Sequence, residues 1–281
     1  MIHDGNKPRF LNSGKVKDVY DMGDDTLMFR FSDRVSAFDV KFHDTIYRKG
    51  EILCKFAQYW FENLRTPNHF VRRLSNTEML VKKMNMIPLE CVVRGYLYGS
   101  LVGRFRNNQV KLPPNSGTRL ASRLGSPMFD PTTKSEHDMP VSRKHAIESE
   151  LVTAGQYDTL YDTSISVYET IAGHMNSAGF ILADLKLEFG ISDGQILLGD
   201  SIGPDEYRLW SKDSYAIGQR QDSYDKQILR DWLEETGWKK RFQDDLARGV
   251  ESEPPDIPPG ISKKITARYI SSYTTITGLD I

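Results

Sequence analysis

Between Asp184 and Phe189 the chain alternates without a break: Asp184, Lys186 and Glu188 are charged, while Leu185, Leu187 and Phe189 are apolar. A period of two predicts a strand whose apolar face lies on a core and whose other face carries a row of charges. A return strand, Leu197-Leu198-Gly199-Asp200, follows across Ser192-Asp193-Gly194. A two-residue Asp193-Gly194 hairpin would set Glu188 opposite Gly199 and send Asp200 to the apolar side; a three-residue loop with a left-handed glycine sets Glu188 opposite Asp200. We expect the longer loop, which gathers Asp184, Glu188 and Asp200 around one pocket with Lys186 among them.

Elsewhere the same patterns mark further elements. Residues 15–20 and 26–31 alternate around Gly23-Asp24-Asp25 and read as an antiparallel hairpin. Leu53, Phe56, Ala57, Trp60 and Leu64 recur at helical spacing, from near Lys49-Gly50 to before Pro67. Residues 70–74 and 79–83 read as short strands, and residues 88–100 as a buried strand that breaks into a glycine-punctuated turn. Residues 107–133, rich in proline and glycine with few periodic apolar positions, read as a long loop. Tyr161, Ile165, Tyr168, Ala172 and Met175 place an amphipathic helix over residues 157–178, closed by Gly179. A helix beginning at residues 222–227, with Ile228, Leu229, Trp232 and Leu233 inward, and a last one over 262–277 flank a proline-rich crossing at 251–260.

Composition adds bounds. Net charge is -1 at pH 7, so no general field draws nucleic acid or a membrane surface, and an anionic ligand must be met by individually placed Arg and Lys. Cys54 and Cys91 sit in apolar periodic segments and read as reduced thiols of a cytoplasmic protein. The first eleven or so residues lack the apolar core of a secretory signal, and no run approaches the roughly 18 apolar residues of a membrane span.

Two ionised carboxylates about 7 Å apart on one strand face repel by about 2 kcal/mol at an effective dielectric near 20. A bound cation would turn that repulsion to use, and hard oxygen donors suit magnesium carrying nucleotide phosphates better than zinc. A solvated hairpin face is the other reading of the same pattern. Ser13-Gly14-Lys15, with Lys17 beyond it, lacks the spacing of a Walker A loop; a glycine turn could still lay amides and ammonium groups over phosphates, or be an ordinary hairpin entry. Arg94 with Ser100 matches a phosphomonoester, or else Arg94 caps carbonyls at a strand end. Arg208 is a second anion receptor candidate. The polar loop 32–39, with Ser36 and Asp39, either caps a helix or touches ligand. His137 stands in the densest polar cluster, beside Asp138, whereas His3, His43, His69, His145 and His174 read as surface or helix bystanders.

Taken in order, Ser13-Gly14-Lys15-Val16-Lys17-Asp18-Val19-Tyr20, Ser32-Asp33-Arg34-Val35-Ser36-Ala37-Phe38-Asp39 and Pro88-Leu89-Glu90-Cys91-Val92-Val93-Arg94-Gly95-Tyr96 resemble the SAICAR synthetase family of purine biosynthesis. So do Ala183-Asp184-Leu185-Lys186-Leu187-Glu188-Phe189-Gly190, Asp205-Glu206-Tyr207-Arg208-Leu209-Trp210 and Gln221-Asp222-Ser223-Tyr224-Asp225-Lys226-Gln227. The resemblance implies an α+β, two-lobed fold related to ATP-grasp enzymes, a smaller antiparallel β lobe (1–85) over a larger α+β lobe (86–281). It implies a ligase that joins carboxyaminoimidazole ribonucleotide to L-aspartate while ATP becomes ADP and phosphate. Gly14, Lys15 and Lys17 would meet ATP phosphates, and Met84 and Met86 would line the adenine pocket. Glu188 and Asp200 would hold Mg2+. Arg94, Ser100 and Arg208 would grip the ribonucleotide phosphate, and Asp39, Asp184 and Lys186 would lie beside the reacting carboxylate. Ser36, His137, Asp138 and Lys226 complete the substrate contacts, with His137, Asp138 and Lys226 on the aspartate side.

Two positions depart from the family pattern: Ser201 replaces an acidic residue often found after the metal-binding aspartate, and the loop at 132–142 is shorter than usual. The partners implied are small molecules, with neither nucleic acid nor membrane; homo-oligomerisation is left open. A small-molecule kinase using the same nucleotide cleft is the alternative, distinguished by ADP formation that needs no aspartate. A regulator without turnover is the third reading, opposed by the retention of Lys15, Glu188 and Asp200.

Overall fold

The computed structural model describes residues 8–38, 40–134, 139–250 and 252–281. The chain runs through strands β1 (Arg9–Ser13), β2 (Lys17–Gly23), β3 (Thr26–Phe31), β4 (Arg34–Ala37) and β5 (Val40–Thr45), helix α1 (Lys49–Asn63), then β6 (Phe70–Arg73) and β7 (Glu78–Lys82). Next come β8 (Asn85–Tyr96), α2 (Ser100–Arg106), β9 (Arg123–Phe129), β10 (Thr132–Thr133), α3 (Arg143–Glu148) and α4 (Ala154–Ser177). Strands β11 (Phe180–Ser192), β12 (Gln195–Gly199) and β13 (Tyr207–Ser211) precede helices α5 (Gln227–Glu235), α6 (Trp238–Ala247) and α7 (Pro259–Thr277). The result is a mixed α and β fold in which the named strands pair antiparallel. No helix among the described residues is long and apolar enough to cross a membrane.

By internal packing the chain divides into two units, one of Met1–Tyr59, Phe70–Lys83 and Tyr224–Ile281, the other of Trp60–His69 and Met84–Ser223. In the first, β1-β2-β3-β7-β6 form a five-stranded sheet beside the β4-β5 ribbon. The C-terminal helices belong to this unit through aromatic contacts: Phe56 of α1 meets Tyr273 of α7 edge to face at 5.0 Å, and Phe42 of β5 meets Trp238 of α6 at 6.1 Å. Asp33 accepts a hydrogen bond from the Gly50 amide at 2.8 Å, so the polar loop before β4 does cap a helix. A Cβ on Gly50 would come within 2.9 Å of the Phe31 backbone, which is why glycine stands in the first turn of this helix.

The β2-β3 turn uses Asp24 and Asp25 at φ of 49° and 53°, the left-handed pair of a tight hairpin. Asp21 stabilises it by accepting the Gly23 amide at 2.9 Å and Arg9 at 3.0 Å. Those bonds, the Gly23 amide first, hold its carboxyl down at about 2. A carboxylate with a depressed pKa stabilises the fold above its unfolded value and stops doing so as pH falls through its folded one. Wild type should therefore be more stable than Asp21→Asn at pH 5, with the gap closing between pH 4 and 2; a pH-independent gap in thermal melts would contradict this.

The second unit is built on β11. Along its first half β11 pairs with β13 and along its second half with β12, while β8 runs beside it from Asp184 to Ile191. Its odd-numbered residues Leu185, Leu187 and Phe189 are almost wholly buried, with Cys91 and Val93 of β8 beside them. Helix α4 packs on β11, β8 and β9. Its Tyr168 hydroxyl donates to the Leu182 carbonyl at 2.8 Å, and a Cβ on Gly95 would lie 1.9 Å from that hydroxyl. Only glycine leaves Tyr168 room to reach the strand.

Two expectations need correction here. Glu188 pairs with Gly199 and Ser192 with Gln195, so the hairpin loop is the two-residue Asp193-Gly194, at φ of 51° and 75°. That pair already has the twist the flanking strands demand, and no third loop residue is needed. Asp200 is nevertheless not carried along the ladder to the apolar side, because its own backbone turns to φ 57° just beyond β12. The 107–133 stretch is also not loop throughout, since β9 and β10 pair with β8. Pro127 survives in β9 because that strand pairs with β8 alone.

Candidate active site

Period-2 geometry sends Asp184, Lys186 and Glu188 to the face of β11 opposite its apolar residues, and the register sets Arg94 beside Asp184 and Glu90 beside Glu188. Strand β13 sets Arg208 on the other side of Asp184. The face is thus a pattern of alternating sign, and protein cations already relieve the repulsion expected of a row of acids.

Around Asp184 the charges are mostly cationic. Arg208 donates to Asp184 at 2.6 Å, and the Arg94 guanidinium lies 3.8 Å from the same oxygen. Arg94 also donates through Nε to Asp130 at 2.5 Å and through Nη2 to Ser100 at 3.2 Å. Arg104 of α2 donates to the same Asp130 oxygen. Arg94, Asp130 and Asp184 are 5%, 6% and 6% exposed, so these are buried ion pairs that need every partner in place. Burial works against the Asp130 charge, but the Arg104 hydrogen bond and the charges of Arg94 and Arg104 outweigh it and hold the carboxyl below its ordinary value. Gly99, at φ 59°, leaves room for Arg208, whose Nη2 would stand 2.7 Å from a Cβ there.

Two residues along β11 lies the second group. Lys186 donates to Glu90 Oε1 at 2.8 Å and lies 3.6 Å from Glu188 Oε1, while Lys134 pairs with the other Glu188 oxygen. Burial penalises the ammonium, but the fields of Glu90, Glu188 and Asp200 and the Glu90 hydrogen bond raise its pKa, so Lys186 stays charged through neutral pH. That Asp200 acts on Lys186 puts it near this cluster despite the register correction. Among the described residues no three His, Cys, Asp or Glu side chains converge as an all-protein metal cage. Glu188 and Asp200 as hard oxygen donors fit magnesium, which is usually held by one or two carboxylates with phosphate oxygens and water completing its shell.

The remaining candidates fall as follows. Met84 reaches over the sheet, its Cε 2.5 Å from a Cβ placed on Gly199 and its Cβ 2.7 Å from one on Gly190, so both glycines make space for it. Met86 pairs with Gly190 and is exposed. In the first unit the Gly14 amide donates to the Lys17 carbonyl at 2.8 Å, Lys15 is exposed, and the Lys17 ammonium lies 5.0 Å from the Phe29 ring centroid. Lys226 donates to the buried Ser36 hydroxyl at 3.4 Å, joining two candidates far apart in sequence. Asp39, His137 and Asp138 lie outside the described residues. Ser201 is buried and donates to Glu206 at 3.3 Å. His69 is no surface bystander: it is buried, its amide donates to Leu198 and its ring meets Phe61 edge to face.

Sequence reasoning passed over Glu90, Asp130, Lys134 and Arg104. Glu90 was open to discovery, because it shares strand parity with Arg94; the other three enter only through pairings across the fold.

The SAICAR synthetase family model matches residues 10–245. The phosphoribosylaminoimidazole-succinocarboxamide synthase of Nitrosopumilus maritimus is 58% identical over 269 residues, 96% of this chain and 98% of the relative; that of Corynebacterium ammoniagenes is 36% identical over 288 residues, 95% of this chain and 94% of the relative. Among solved structures, the SAICAR synthase of Saccharomyces cerevisiae complexed with SAICAR superposes with a TM-score of 0.82 at 31% identity, covering 98% of this chain and 96% of that one. A type-2 SAICAR synthetase in complex with ADP superposes at 0.73 with 25% identity, covering 96% and 98%. The chain belongs to the SAICAR synthetase family and is an ATP-dependent ligase of purine biosynthesis.

Proposed function

We propose that the protein joins the carboxylate of carboxyaminoimidazole ribonucleotide to the amine of L-aspartate through an acyl phosphate. A carboxylate is a poor acyl donor. Its oxygen takes the γ-phosphoryl group of ATP, releasing ADP; the aspartate amine then attacks the acyl carbon, the C–O bond to phosphate breaks, and the amine proton passes to solvent. One observation carries this reading: a single strand, β11, presents an arginine-rich anion receptor at Asp184 and a lysine-carboxylate group at Lys186 and Glu188, two residues apart.

In this reading Arg94, Ser100 and Arg208 bind the ribonucleotide phosphate, since guanidinium forks match phosphate oxygens two at a time. Lys186 lies beside the transferring phosphoryl group and offsets its charge, with Asp184 and Asp39 nearby. Glu188 and Asp200 would hold magnesium, which when bound would shield the nucleotide phosphates. Residues 1–85 supply the phosphate contacts Gly14, Lys15 and Lys17, and Met84 and Met86 contact adenine. Ser36, His137, Asp138 and Lys226 serve the substrates. Support comes from the relatives, one complexed with SAICAR and one with ADP, and the kinship with ATP-grasp enzymes belongs to the same proposal. We place the protein in the cytoplasm: Cys54 and Cys91 are free, and burial pushes both thiols up to about 12, so they are structural rather than reactive.

The test is incubation with ATP, magnesium, the ribonucleotide and L-aspartate, following ADP. Release that depends on aspartate supports the ligase; equal release without aspartate overturns it.

A further inference from the structure

A cavity of about 360 Å³ lies in the second unit, where α4 packs against β8, β9 and β11. Among the described residues, none of those assigned above to substrate, nucleotide or metal lines it. Its helical wall is one face of α4: Ala172 and Gly173 are three and four positions beyond Glu169, and Asn176 is four and three beyond them. The two small residues keep that wall low, and a Cβ placed on Gly173 would meet nothing within 4 Å. The strands supply the polar Arg123 and Ser126 and the apolar Leu124, Pro127, Phe180 and Ile181.

Arg123 and Glu169 both line this cavity, yet neither forms a hydrogen bond or ion pair with the other or with any other described residue. Burial raises the pKa of the Tyr168 phenol, Arg123 opposes that rise and Glu169 adds to it, so both charges stand within reach of this one wall residue. Exposed charges are ordinarily satisfied by water. Here they share a concave, partly apolar surface whose low-dielectric walls focus their fields on whatever enters. A simple anion would be repelled by Glu169 and a simple cation by Arg123. A small ligand that carries both charges on an apolar body suits every wall.

We propose that this cavity is a second ligand site, which binds a free α-amino acid with an apolar side chain. The guanidinium of Arg123 takes the carboxylate, whose two oxygens match its fork. Glu169 accepts the ammonium, and the side chain lies against Leu124 and Pro127. The cavity falls within the usual size range of small-molecule pockets and has their mix of apolar walls with a few polar groups.

The probe is L-leucine, titrated into the full chain by calorimetry with no L-aspartate present. It should saturate with a Kd of about 0.1 to 1 mM, a range open to a ligand of so few atoms. L-Leucinamide, which lacks the carboxylate, and 4-methylpentanoate, which lacks the ammonium, should each bind about tenfold more weakly or worse, the loss of one charge-assisted contact. Arg123→Gln and Glu169→Gln should weaken L-leucine by a similar factor, with melting temperature and ADP release at wild-type values, since neither residue belongs to the ligase machinery. Gly173→Leu tests the place. Its side chain would fill the cavity from a helical position where leucine is favoured over glycine, so L-leucine binding should vanish without a fall in melting temperature. Wild type that takes up no L-leucine at about 10 mM, ten times the weakest constant expected, overturns the proposal. So does equal binding of the amide or the acid, or unchanged affinity in Gly173→Leu. These binding measurements stand whatever reaction the ligase face performs.

Discussion

Lys186→Met is expected to lower turnover by about a hundred- to a thousandfold, the usual loss when one preorganised charge is removed from developing negative charge. In the proposed mechanism the side chain serves two purposes, and its neighbours allow them to be separated. Glu90 and Glu188 lie directly opposite each other on β8 and β11, with the Lys186 ammonium 2.8 Å from one and 3.6 Å from the other. Carboxylates opposed at about 5 Å repel by roughly 3 kcal/mol at an effective dielectric near 20, so the single variant should also lose stability. Combining Lys186→Met with Glu90→Gln removes that repulsion. The double variant should melt near wild type and remain as slow as the single one; recovery of kcat along with stability would show that Lys186 is structural alone. Lys134, on the other Glu188 oxygen, cannot substitute, because it meets the carboxylate and not Glu90.

Arg94→Ala should reduce ribonucleotide affinity by about 2 to 4 kcal/mol and destabilise the fold by about 3 to 5 kcal/mol. In the proposed reading, the affinity loss would reflect a charge-assisted fork taken from the phosphate. The stability loss has a different origin: Arg94 is 5% exposed and contacts both Asp130 and Asp184, which would be left with Arg104 and Arg208 respectively. Arg94→Lys should recover more stability than affinity, since an ammonium restores charge but not two-point geometry. Denaturant melts and the ribonucleotide KM read the two effects independently. A folded variant with unchanged KM would remove Arg94 from the substrate contacts.

Legibility in the sequence followed the range of the signal. The faces of β11 were plain from Asp184 to Phe189, and α1, α4 and α7 from their apolar spacing, because pleat and helical turn are local properties. Helix α6 went unread: of its residues only Trp238 is buried, and Lys239-Lys240-Arg241 obscure the stripe. Strands β9 and β10 hid in a proline-rich stretch because pairing with β8, rather than their own propensity, makes them strands. The hairpin was misjudged although Asp193-Gly194 is a strong two-residue turn signal; the missing datum was the single torsion at Asp200, which no periodicity encodes.

From the residues alone came membership in the family, the separation of apolar and charged faces on the central strand, and the candidates Asp184, Lys186, Glu188, Arg94 and Arg208. Only the folded chain decided which opposite charge each of these meets. Ion partners depend on register between strands and on side chains such as Asp130 and Arg104, 36 and 10 positions beyond Arg94. Alternation is written into neighbouring residues by the pleat, whereas an ion pair forms wherever packing of the whole sheet happens to bring two distant positions within a few ångströms.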